Sequence, residues 1–171
     1  GVPETPLFRM AAPGIARLGR WLDESLAVFP RTAPPPGPEA EGLIGLGPGL
    51  TPSGDDFLGG MLIALHAFGF SILAERLAAA MLPPARQRTN AISFAHLACA
   101  AEGEGAEPLH ELLKTLSWPG APGIEDRLRL LDAVGHTSGW DALAGAASAM
   151  AAIAVHGAAS AAEAPPEGNV K

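Results

Sequence analysis

Residues 45–60 read Gly-Leu-Gly-Pro-Gly-Leu-Thr-Pro-Ser-Gly-Asp-Asp-Phe-Leu-Gly-Gly, a glycine- and proline-rich loop that runs into an apolar stretch. Part of it recurs. Ser53-Gly54-Asp55-Asp56-Phe57-Leu58-Gly59-Gly60 aligns with Ser138-Gly139-Trp140-Asp141-Ala142-Leu143-Ala144-Gly145, 85 positions on, as Ser-Gly-x-Asp-x-Leu-x-Gly. Each copy places a hydroxyl, a glycine and a carboxylate at the start of a helix. Two readings are open. A capping box would have each serine accept from the N3 amide while the acid reaches back to the cap amide. A ligand site would instead use the glycines, which cost roughly 1 kcal/mol in a helix and open the backbone to close approach.

The chemistry on offer is that of small anions and acid–base work. Amides of Gly47, Gly49, Thr51, Ser53 and Gly54 in the first motif, and of Thr137, Ser138 and Gly139 in the second, can line an anion-binding concavity at helix N-termini. The acids Asp55 and Asp56 repel a bare phosphate, so either they turn away or a cation such as Mg²⁺ mediates. Adjacent helical residues point about 100° apart, which disfavours one ion held by both. Asp55 and Asp56 are the candidate metal ligands, against a default of capping or solvated carboxylates. His136, in Gly135-His136-Thr137-Ser138-Gly139-Trp140-Asp141, is a loop histidine suited to general acid or base work, and Asp56 and Asp141 are the other candidate catalytic groups. Arg86 and Arg88, beside Thr89 and Asn90, form the compact basic cluster and suit a carboxylate or phosphate. If the two helix starts converge, they and His136 line one polar pocket.

Gly45-x-Gly47-x-Gly49 is not a dinucleotide fingerprint, because neither a preceding strand nor a Gly-Lys-Ser/Thr sequence accompanies it. His66, His96 and His156 lie in apolar helical runs and read as packed core, as does the single Cys99.

The elements that must position these groups are helical. The chain has 171 residues, 48% of them hydrophobic and 17% charged, with no tyrosine and no stretch alternating with period two. One domain is expected, organised as an amphipathic helix and Pro-rich linker over 1–41, a helical core over 42–156 and a flexible tail over 157–171. The fold class is all-α, a compact bundle or array of about six helices around a buried central one. Expected helices span 13–29, about 55–82 with a bend near Gly69, 90–101, 107–117, 124–134 and 138–155. Pro83 and Pro84 are expected to stop the second, and Thr89 to cap the third. Phe57 to Ala74 holds 18 residues without an acid, lysine or arginine. Its glycines, His66 and Ser71 favour a buried helix over a membrane span. The net charge of −7, without a basic cluster of any size, argues against nucleic acid. No leader pattern is evident, and a cytoplasmic setting without membrane contact is expected.

The loop over 45–58, with Thr89-Asn90-Ala91-Ile92-Ser93 and Gly135 to Asp141 following in order, resembles the family linked to the AllH-type subunit of oxamate carbamoyltransferase. The resemblance covers about residues 42–156. It implies carbamoyl transfer between carbamoyl phosphate and oxamate, in purine-nitrogen catabolism, together with other enzyme subunits. It carries no catalytic assignment to these positions. Two other classes remain open from the residues alone: a helical assembly module without catalysis, and a metal-dependent hydrolase of a small phosphorylated or amidated molecule.

Overall fold

Apolar residues on every side of the segment Phe57–Leu65 require a partner on every side, and helices supply them. A computed structural model describes residues 5–31, 34–118, 120, 122–135 and 137–163, with side chains as far as 157. Among the described residues there are eight helices and no strand: α1 (Pro6–Val28), α2 (Pro38–Glu41), α3 (Ser53–Ala67), α4 (Ser71–Arg88), α5 (Ala91–Ala101), α6 (Glu107–Leu116), α7 (Ile124–Asp132) and α8 (Ser138–Glu163). The protein is all-α. Helix α3 is the central element, with ten of its fifteen residues buried, Met61 and Leu65 completely. Around it stand α8, α5, α4 and α6, while α1 packs on α8 and on α2, and α6 on α7.

Several boundaries differ from the sequence expectation for identifiable reasons. Helix α1 begins earlier, at Pro6, because Thr5 caps it by accepting the Phe8 amide at 3.1 Å, and Pro13 lies inside it. Gly69, at φ +84°, ends the first half of the expected long helix, so α3 and α4 are separate. Pro83 and Pro84 do not stop α4, which continues to Arg88. Two interior prolines cost helical hydrogen bonds. Met81 and Ala85, buried on either side of them, hold the backbone helical through packing. Thr89 closes α4, and Asn90 caps α5 by accepting from Ile92 and Ser93, both at 3.0 Å. Helix α8 extends to Glu163, into the stretch expected to be a flexible tail. Its segment Ser138–Gly157 is long and apolar enough to cross a bilayer by length and composition, and its first turns are packed against α3.

The α3–α8 contact is backbone on backbone. A Cβ built on Gly60 would lie 1.8 Å from the Ala142 carbonyl oxygen, and one on Gly145 would lie 1.8 Å from that of Phe57. No side chain fits at either point. Gly59, one residue away, would meet nothing nearer than Ala100 Cβ at 3.6 Å, an ordinary contact. Gly60→Ala and Gly145→Ala are therefore each expected to lower unfolding free energy by about 3 kcal/mol or more, at the upper end of overpacking costs. Gly59→Ala is expected to be neutral or to stabilise by up to about 1 kcal/mol through helix propensity. Urea unfolding of the three variants measures this contrast.

Candidate functional site

The two acids at the start of α3 have different tasks because they leave the helix in different directions. Asp55 is 2% exposed and turns toward the protein. Its Oδ1 accepts the Gly45 amide at 2.8 Å, and its Oδ2 accepts the hydroxyls of Ser93, at 2.6 Å, and Thr89. One buried carboxylate thus ties the glycine loop, the end of α4 and the start of α5 to α3. Gly45 sits at φ +70°, and a Cβ there would lie 2.3 Å from the Arg88 carbonyl, so the loop can reach the acid only with glycine at that position.

Asp56 lies on the wall of a cavity of about 600 Å³ between α3, α5, the loop before α6 and the start of α8, which Asp55 and Ser93 also line. The repeated helix starts meet at its edge, where Thr51 Oγ1 and Ser138 Oγ are 2.8 Å apart. Burial pushes the Asp56 carboxyl from 3.8 up to about 6, against the lowering effect of hydrogen bonds from Ser138 and Thr51, and the Asp141 charge adds to the rise. Its Oδ2 is buried without a partner. Gly59, Gly60, Ile63 and Leu97 supply apolar wall, and Gly139 adds open backbone.

The helix starts converge, but they are not capping boxes. Pro52, not Ser53, is the N-cap of α3 and makes no side-chain cap bond, and the acid at N3 is Asp55, committed elsewhere. The amides of Gly54 and Gly139 donate to the carbonyls of Leu46, at 2.9 Å, and Val134, at 3.2 Å. These donors are used within the chain. Both starts contribute to one cavity, though not through every residue of the repeat. Ser138, Gly139, Thr51 and Asp56 line the larger cavity, while Ser53, Gly54 and Asp141 line a smaller one beyond the helix crossing.

Gly47 lies under the start of α3, where a Cβ would come 2.9 Å from the Ser53 nitrogen, and Gly49 faces open space. Neither lines either cavity. Arg88 pairs with Glu41 at 3.2 Å, and the Arg86 guanidinium lies 4.9 Å from the centre of the Phe94 ring, so both arginines are engaged away from the larger cavity. Thr137 is exposed and begins the α8 turn, its carbonyl accepting the Asp141 amide. His136 lies outside the described residues. Among the described residues no group of three or more His, Cys, Asp or Glu side chains is placed to hold a metal ion.

Two residues read as core belong to the cavity instead. His96 and Cys99 are exposed, one helical turn apart on α5, and line it opposite α3. An apolar helix that walls a cavity has the same residue pattern as one that packs solidly, so periodicity did not separate them. His66, expected in the core, is half-buried at its edge, held by Ser71 Oγ at 3.1 Å and the Ala101 carbonyl at 2.9 Å.

Helical packing around a cavity with acids on its wall defines the class only as an all-α protein. The family is given by comparison: residues 43–150 match the model of oxamate carbamoyltransferase subunit AllH, and the chain belongs to that family. No solved structure matches it.

Two measurements test the division between the acids. Asp55→Ala removes the acceptor of three donors, the buried Ser93 hydroxyl and the half-buried Gly45 amide and Thr89 hydroxyl, and is expected to cost on the order of 3 kcal/mol in urea unfolding at pH 7, with Ser93→Ala costing less. Asp56 has the opposite sign. Because its folded pKa is raised, the folded state holds the proton more tightly, and stability falls as pH rises from about 4 to about 6. Asp56→Asn is therefore expected to melt higher than the parent above pH 6, with the difference vanishing below about pH 4; melting temperature against pH reads this directly.

Proposed function

We propose that this chain is the subunit of an oxamate-carbamoyltransferase-type enzyme that holds the amide nucleophile, with Asp56 as the general base. The supporting observation is the Asp56 carboxyl, which lines the larger cavity and whose pKa burial raises to about 6. A carboxylate of that basicity can take a proton from a ligand N–H, and the amide of oxamate brings one. As the amide nitrogen attacks the carbamoyl carbon of carbamoyl phosphate, the new C–N bond forms, the bond from that carbon to the phosphate oxygen breaks, and the amide proton passes to Asp56. Near pH 7 a carboxyl titrating at about 6 is ionised and still basic enough to help. Thr51 and Ser138, hydrogen-bonded to each other at 2.8 Å, stand beside it on the cavity wall.

The described lining of this cavity contains no lysine or arginine and includes Glu104. An acidic wall does not hold phosphate well by itself. In this reading, cations that hold the carbamoyl phosphate and the oxamate carboxylate come from other subunits of the enzyme.

The test is carbamoyl transfer by the chain reconstituted with its partner subunits. Asp56→Asn is expected to lower kcat by roughly 10²–10⁴-fold, the usual contribution of a general base, while helicity and co-purification persist. The parent's kcat should fall with decreasing pH through an apparent pKa near 6. Turnover of the variant within a few-fold of the parent removes Asp56 from this role. Loss of co-purification with turnover would favour the assembly-module reading.

A further inference from the structure

Helix α5 has no charged residue from Ala91 to Ala101, and its apolar residues run round the whole helix. A helix of that composition is covered on every side in a globular protein. Here one side is bare. Helix α5 packs on α3 and α4, with Ser93, Leu97, Ala100 and Ala101 buried. Ala91, Ile92, Ala95, His96 and Cys99 are exposed. At 100° per residue these five occupy one continuous arc of about 140°. Ile92 is 47% exposed. Leu50, 67% exposed, adds apolar surface at the same end, its carbonyl accepting from the Asn90 side chain at 2.9 Å.

Charge is laid out along this helix, opposite in sign at its two ends. Arg86 and Arg88, both exposed, close α4 beside the N-terminal end of α5. Glu102, Glu104 and Glu107 follow its C-terminal end, exposed and in no ion pair among the described residues. Arg88 pairs with Glu41 and Arg86 lies over the Phe94 ring, yet a guanidinium has five N–H donors, and each keeps some for a second acceptor. A face with a basic end, an apolar middle and an acidic end is complementary to itself when two copies lie antiparallel. That is the geometry of a two-fold contact.

We infer that the bare face of α5 is an interface between two copies of this chain, packed antiparallel about a two-fold axis between Ala95 and His96. With the axis there, Ile92 of each copy meets Cys99 of the other, and Arg86 and Arg88 meet the segment 102–105. Apolar contact supplies the attraction, while the exposed ion pairs, weak singly, fix the direction. The second copy's Arg86 and Arg88 then stand beside Glu104 on the lining of the larger cavity, which contains no lysine or arginine among its described residues. The interface does not require any role for Asp56.

Sedimentation equilibrium of the full chain tests the proposal. A reversible dimer is expected as concentration rises to about 1 mM, a range that reaches even weak, small contacts. Ile92→Glu places a carboxylate in the apolar face and should weaken the dimer at least about tenfold. Glu104→Arg sets like charges against each other and should also weaken it, whereas adding Arg86→Glu restores opposite signs and should recover it. Circular dichroism checks that each variant is folded. In a Cys99→Ala background, Ala95→Cys at the axis should link two copies by a disulfide under oxidised glutathione, and Ala147→Cys, on the exposed side of α8, should not. A monomer throughout the range, a dimer unchanged by Ile92→Glu, or linkage no faster through Ala95→Cys than through Ala147→Cys overturns the two-fold. A monomer whose co-purification with other subunits is lost in Ile92→Glu would overturn it too, and assign the face to a different chain.

Discussion

Everything in this fold depends on two helices touching through their backbones. Gly60 and Gly145 allow α3 and α8 to approach until carbonyl oxygens occupy the space of a side chain, and no other residue type permits that separation. The close crossing brings the two helix starts near enough for Thr51 and Ser138 to share a hydrogen bond. It also sets Asp141 near enough that its charge opposes ionisation of Asp56. A wider crossing would let water between the acids and relax both effects. Packing and electrostatics are here one constraint, since the glycines that remove bulk also remove solvent screening.

The second constraint acts across the chain rather than along it. Asp55 gathers Gly45, Thr89 and Ser93 from three segments, and the loop, the end of α4 and the start of α5 take their positions from one carboxylate. Such a buried acid is tolerable because all its bonds come from donors that have no better partner. The wall of the larger cavity formed by α5 is set by that arrangement.

The sequence made some of this legible. Apolar residues around the whole circumference of 57–65 identified the central helix, and the Ser-Gly-x-Asp echo identified the two starts that meet. It did not separate the acids. Asp55 and Asp56 are identical in type and adjacent, both line the cavity, and only the angle at which each leaves the helix decides which one pins the neighbouring segments. Thr89 and Ser93 lie 34 and 38 positions from Asp55, a separation for which no local spacing rule exists. The prolines of α4 misled for a different reason: propensity counts local costs, whereas burial of Met81 and Ala85 is a tertiary gain. For His96 and Cys99, a cavity wall and a solid core looked alike from composition.

The adjacency of the two aspartates has a mechanical consequence. Any rotation of α3 about its axis that would turn the Asp56 carboxylate toward bulk water would break the bonds Asp55 makes to three other segments. The helix is torsionally locked by its own neighbouring residue. The carboxylate on the cavity wall therefore keeps its orientation, and under the proposed function a substrate meets it without reorganisation of the helix. Selectivity would then lie in how long a substrate stays rather than in how readily it enters.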